Sequence, residues 1–111
     1  MDSPIWKVRF QHEIEQAESG RATGKEGMAR VCARRAAGIA VGEYFTRNRL
    51  PDSSPSAYER LKALVALPST TPLVQETAMR LLLRITPEHT LPIEADLIAS
   101  ARWLAQELLG E

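Results

Sequence analysis

Along the whole chain, apolar residues recur at intervals of three and four, the repeat that lines one face of an α-helix. Alternating β-branched runs, which would announce strands, are missing. The periodicity divides the chain into five helical segments. The first runs from Pro4 to Glu18 and lines up Trp6, Phe10, Ile14 and Ala17. It is expected to end in ESGRATGKEG, where Gly20, Gly24 and Gly27 each cost a helix ~1 kcal/mol relative to alanine. The second segment spans Glu26 to Asn48, and RLPDSSPS then reads as a loop. Ser56 and Glu59 have the Ser-x-x-Glu spacing of a capping box, in which each side chain satisfies an orphan amide of the first turn. Behind them a short third helix carries Ala57, Leu61, Leu64 and Val65. A fourth starts at Pro72, whose missing N–H costs nothing in a first turn, and presents Val74, Ala78, Leu81, Leu82 and Ile85 until Pro87 stops the pattern. The fifth extends from Pro92 to Leu109, with Leu97, Ile98, Ala101, Leu104, Ala105 and Leu108 in one stripe and Gly110 as its C-cap. The prediction is an all-α, up-and-down helical bundle of four main helices plus a short one, in one domain over residues 1–111.

The second segment stands apart. RVCARRAAGIAVGEYF puts six alanines and glycines, residues with almost no side chain, into sixteen positions, yet carries three arginines. Projected as a helix, Cys32, Ala33, Ala36, Ala37 and Ala40 fill an arc about 140° wide, and Gly38 and Gly42 lie on the opposite side. Small side chains let neighbouring helices approach to the short end of the ~8–10 Å range. This is therefore the central helix, contacted on more than one side. Because a short bundle can hardly cover such a helix alone, the sequence predicts a homodimer burying more than ~1,000 Å².

Composition narrows the partners. Fourteen basic and fourteen acidic residues cancel, so no global charge draws the chain to nucleic acid or an anionic membrane. No apolar run approaches the ~20 residues that span a bilayer, and MDSPIWKVRF lacks the apolar stretch of a signal peptide, which predicts a cytoplasmic protein. The lone Cys32 excludes an internal disulfide and a cysteine-rich zinc site; among alanines it reads as a small buried hydrophobe. His12 cannot converge with Glu13 and Glu15 on a metal, since consecutive helical residues diverge by 100°. No metal or cofactor is expected. Trp6 and Trp103 are expected to anchor the core or an interface.

Arg30 and Arg34 are candidate anion-binding residues. They stack one turn apart, where like charges repel by a few tenths of a kcal/mol, so carboxylates such as Glu13 or Glu15, or a bound anion, should compensate them.

The order IWKVRFQHEIEQA, GKEGMARVCARRAAGIAVGEYF, SPSAYERLKALVAL, ETAMRLLLRITPEHTLP, IEADLIASARWLAQELL resembles the HEPN superfamily of small prokaryotic helical-bundle proteins over nearly the whole chain. The shared features are a Trp-bearing first helix, a glycine-containing turn, an alanine-rich central helix, a loop with a short helix, and two last helices joined through proline. Catalytic members of that family are metal-independent ribonucleases with an Arg followed four to six residues later by a His. The resemblance places that pair at Arg84 and His89, in RITPEH, although Ile85 stands where the family prefers a polar residue and Pro87 interrupts the spacing. Chemically, His89 would take the 2′-hydroxyl proton and Arg84 would stabilise charge on the phosphorane, with two such pairs juxtaposed across a dimer. Other members lack the pair and serve as nucleotide-binding or scaffold partners of nucleotidyltransferases. Two readings follow. One is a non-catalytic homodimeric module that partners another protein, such as a nucleotidyltransferase. The alternative is a toxin-like ribonuclease, of the kind found in toxin–antitoxin pairs, for which nucleic acid would be the substrate.

Overall fold

A computed structural model describes residues 4–52, 54–83 and 96–110. The described residues form five helices and no strand: α1 (Ile5–Ala22), α2 (Glu26–Arg47), α3 (Ala57–Ala66), α4 (Pro72–Leu82) and α5 (Leu97–Leu109). Each helix packs on the next in sequence, and α2 touches all four others. The result is a helical bundle built around α2.

α1 does not stop at Glu18. It passes through Gly20 and ends at Ala22. Gly20 is buried, and a Cβ there would lie 3.2 Å from the backbone nitrogen of Ala29 and from the carbonyl of Lys25. Gly20 thus lets α2 approach α1, and tertiary contact outweighs its low helix propensity. The break falls at Gly24, whose φ of +77° is the left-handed region that glycine enters without steric cost. Lys25 N–H donates to the Gly20 carbonyl (2.7 Å) and Gly24 N–H to that of Arg21 (3.2 Å), the paired bonds of a Schellman motif. α2 ends in the same way, with Leu50 N–H on Phe45 (2.9 Å) and Arg49 N–H on Thr46 (3.3 Å). There the left-handed position is filled by Arg49 at φ +54°.

α1 and α2 make an antiparallel hairpin: Gly20 meets Ala29 near the turn, and the Arg47 guanidinium lies 5.7 Å from the centre of the Trp6 ring at the far end. α5 lies against both. Its first turn joins α1, where Asp96 pairs with Arg21 (3.1 Å), and Arg102 pairs with Glu18. Its last turn joins α2, where Arg47 donates to the Leu109 carbonyl (3.3 Å).

Ala33, Ala36, Ala37 and Ala40 have no exposed surface. Ala40 packs with Ala105 and Leu109 of α5 and against Trp6 and Phe10 of α1. The main cluster joins Ile14, Phe45, Leu61, Leu64, Leu81 and Leu104 from all five helices. Burying each such side chain contributes ~1.5–3 kcal/mol. The opposite side of α2 is covered as well. A Cβ on Gly38 would sit 2.5 Å from Ala57 Cβ at the start of α3, and one on Gly42 would sit 2.7 Å from the guanidinium carbon of Arg60. The expectation that one chain can hardly cover α2 is corrected for its alanine and glycine sides, which α1, α3 and α5 of the same chain cover, while Met28 and Val31 stay exposed.

The caps follow the sequence with two exceptions. The Ser56 hydroxyl accepts from Glu59 N–H (3.4 Å), but Ser56 N–H donates to Ser54 Oγ (3.1 Å), so only half of the capping box is formed. Thr71 caps α4 ahead of Pro72, and Gly110 at φ +71° closes α5. α4 ends at Leu82, short of the expected Ile85, which lies outside the described residues. The second exception is the start of α5 at Leu97, behind Asp96, whose carboxylate accepts from Ala99 N–H (3.1 Å). The predicted start at Pro92 falls outside the described residues. With 13 residues, α5 is closer in length to α3 and α4 than to the long α1 and α2.

The Ala99 amide, followed by the Arg21 side chain, holds the Asp96 carboxyl below its ordinary value of 3.8. A depressed carboxyl contributes stability that is complete above the unfolded value and is lost as pH falls through the folded one. Asp96→Ala is expected to cost about 1 kcal/mol at neutral pH. In urea titrations, the difference from the unaltered protein should vanish once the pH drops below that of the bound carboxyl. A difference that persists undiminished there would assign the effect to something other than the charged cap.

Candidate functional site

The arginines flagged in the central helix have different fates. Arg34 reaches across to the end of α4, where Nε donates to the Leu81 carbonyl (2.7 Å) and Nη2 to that of Leu83 (2.8 Å). Carbonyls at a helix C-terminus have no intrahelical donor and carry the negative end of the dipole, so a guanidinium fork suits them. These carbonyls take the place of the carboxylates expected from α1. Arg30, one turn earlier and half-buried, has no hydrogen bond or ion pair to another described residue. Arg84 and His89 lie outside the described residues.

Two further arginines do work that sequence reading missed. Arg47 caps the end of α5 and pairs with Glu43 one turn before it (3.0 Å). Arg60 spans the loop after α2. Its Nε and Nη2 hold the Asp52 carboxylate (3.1 and 2.8 Å), Nε also donates to the Ser54 carbonyl (3.0 Å), and Nη1 reaches the Gly38 carbonyl (3.3 Å). A sequence signal existed in the pairing of a loop aspartate with an arginine one turn into the next helix, but nothing local points to Gly38. A shallow cavity of about 260 Å³ beside this fork is lined by Phe45, Pro51, Glu59 and Lys62. The carboxylate and carbonyls already occupy the guanidinium that faces it.

Among the described residues no group of three or more potential metal ligands comes together. Cys32 is buried, and burial, followed by the Glu13 charge, raises its thiol pKa, against a smaller pull from Arg35. It is a packing residue with little thiolate character at neutral pH. Trp6 and Trp103 are both partly buried against the core, as anchors should be; the Trp6 indole N–H is buried with no hydrogen-bond partner among the described residues. No described helix is long and apolar enough to cross a membrane.

Six large apolar side chains remain exposed among the described residues. Ile5 and Val8 on α1, Met28 and Val31 on α2, and Leu73 and Met79 on α4 are all exposed. On α2, Met28, Val31, Arg35 and Ile39 fall on one helical stripe, which borders α1 at a groove lined by Val8, Arg9, His12, Glu13 and Ile39. Its walls combine aliphatic side chains with the ionisable His12, Glu13 and Arg9. No family model, curated protein or solved structure matches the chain.

Proposed function

We propose that this chain is a non-catalytic helical module, HEPN-like in its arrangement, that acts as a homodimeric interaction or nucleotide-binding partner protein. The observation that supports this most is where the cationic side chains go. Arg34, Arg47 and Arg60 are spent on backbone carbonyls at the ends of α4, α5 and in α2. Arg21, Arg80 and Arg102 pair with carboxylates. A scaffold that uses several of its guanidinium groups to join helices, and exposes aliphatic side chains on α1, α2 and α4, is equipped to bind a protein. A nucleotidyltransferase-type chain is the heterologous partner that the family resemblance suggests.

Incubating the purified protein with single-stranded and structured RNA, beside His89→Ala, tests this reading. Neither protein is expected to cleave above background. Cleavage by the unaltered protein that is lost in the His89 variant would overturn it in favour of a metal-independent ribonuclease using Arg84 and His89.

A further inference from the structure

We infer that the outer face of the α1–α2 hairpin is the homodimer surface, and that a second copy docks on it with α1 of one protomer lying along α2 of the other. The inference deepens the homodimeric reading above and rests on it.

Three observations converge on this face. The first is its apolar content. Ile5 is 70% exposed, Val8 58%, and Met28 and Val31 42% each. Val8 and Ile39 line a groove of about 490 Å³ between the two helices, with Ile5 farther along α1 and Met28 and Val31 toward the turn on α2. The second is charge. Arg21, Arg47, Arg60, Arg80 and Arg102 have carboxylate partners and Arg34 has carbonyls. Arg9 and Arg35, on this face, have no side-chain hydrogen bond or ion pair to another described residue, a state they share with Arg30 and Arg49, and neither does Glu13 between them. The third is register. Because Gly20 meets Ala29 in the antiparallel hairpin, Glu13 of α1 lies at the level of Ala36, one residue from Arg35. A two-fold axis running along the hairpin lays α1 on the other protomer's α2 at the same height. Glu13 of each copy then faces Arg35 of the other, and Val8 faces the neighbourhood of Ile39. Such a contact is isologous and closes with two copies.

The footprint suffices. Eighteen residues of helix give ~27 Å of length, and two helices side by side about 18 Å of width, roughly 500 Å² per protomer. Doubled, and before allowing for side-chain relief, this meets the ~1,000 Å² expected of a specific interface. The apolar α4 patch around Leu73 and Met79 lacks a comparable set of unpaired charges, since Arg80 pairs with Glu76 (2.6 Å).

Sedimentation equilibrium of the full chain at tens of micromolar tests the inference, with circular dichroism melts confirming that each variant is folded. The unaltered protein should be a dimer. Val8→Glu and Val31→Glu should each raise its dissociation constant by about thirty-fold or more, the effect of losing a central contact, whereas Leu73→Glu and Met79→Glu should leave it unchanged. Arg35→Glu and Glu13→Arg should each weaken the dimer, and the two together should restore it. A monomeric unaltered protein would overturn both the dimer and this surface. A dimer that survives the α1 and α2 variants, or yields only to those on α4, would overturn the surface alone; RNA cleavage dependent on His89 would instead remove the non-catalytic reading.

Discussion

Gly38→Ala is expected to destabilise the protein by roughly 2 kcal/mol, even though alanine is the better helix former by about 1 kcal/mol. The new methyl would lie 2.5 Å from Ala57 Cβ and 2.7 Å from Ala57 Cα. The second of these is backbone, so relief requires the start of α3 to move away from α2. That shift would also pull on the Arg60 guanidinium, which joins Asp52, Ser54 and the Gly38 carbonyl. A melting temperature lower by roughly 8 °C is the expected readout for a chain of this size. Gly27→Ala is the control. Gly27 is also in α2, but nothing lies within 4 Å of a Cβ placed there, so the substitution should raise stability by up to about 1 kcal/mol. If both changes stabilise, α3 does not sit against Gly38 as described.

The second large effect belongs to Arg34. Arg34→Met keeps the aliphatic stem and removes both donors to α4, and should cost about 2–3 kcal/mol, since each charge-assisted bond contributes ~1.5–3 and water can partly replace it at a helix end. Arg34→Lys is the informative companion. It keeps the charge but replaces a rigid fork by a single ammonium, which cannot serve the Leu81 and Leu83 carbonyls in the same geometry. Less than half of the loss should be recovered in urea unfolding. Full recovery by lysine would mean that net charge near the α4 dipole, rather than the fork, is what matters.

Local signals along the chain define element type well and packing poorly. Ser56, Pro72 and Gly110 marked helix ends because capping depends on residues within a turn of one another. Gly20 misled because its role is to admit Ala29, a contact that propensity does not contain. Asp96 was overlooked as a cap: no glutamate or glutamine follows at the third position, and Pro92 offered an earlier start. Arg34 was weighed against charges one turn away and on α1, whereas its partners stand 47 and 49 residues downstream. The same reason governs the small residues of α2. Alanines and glycines all round a helix say that neighbours come close; whether they belong to the same chain depends on how the loops return, and here α3 and α5 come back onto it. The case for a second copy now rests on Val8, Val31, Arg35 and Glu13 instead, residues that helical periodicity alone reads as an ordinary outer surface.

The alanine and glycine sides of α2 lie against the rest of its own chain, and amide hydrogen exchange reads that central position directly. The amides from Cys32 to Val41 should be the slowest in the molecule, exchanging only when the whole bundle opens, while those of the first two turns of α1 exchange sooner through local fraying. Exchange of the Cys32–Val41 amides as fast as that of Trp6 to Gln11 would contradict a central position for α2.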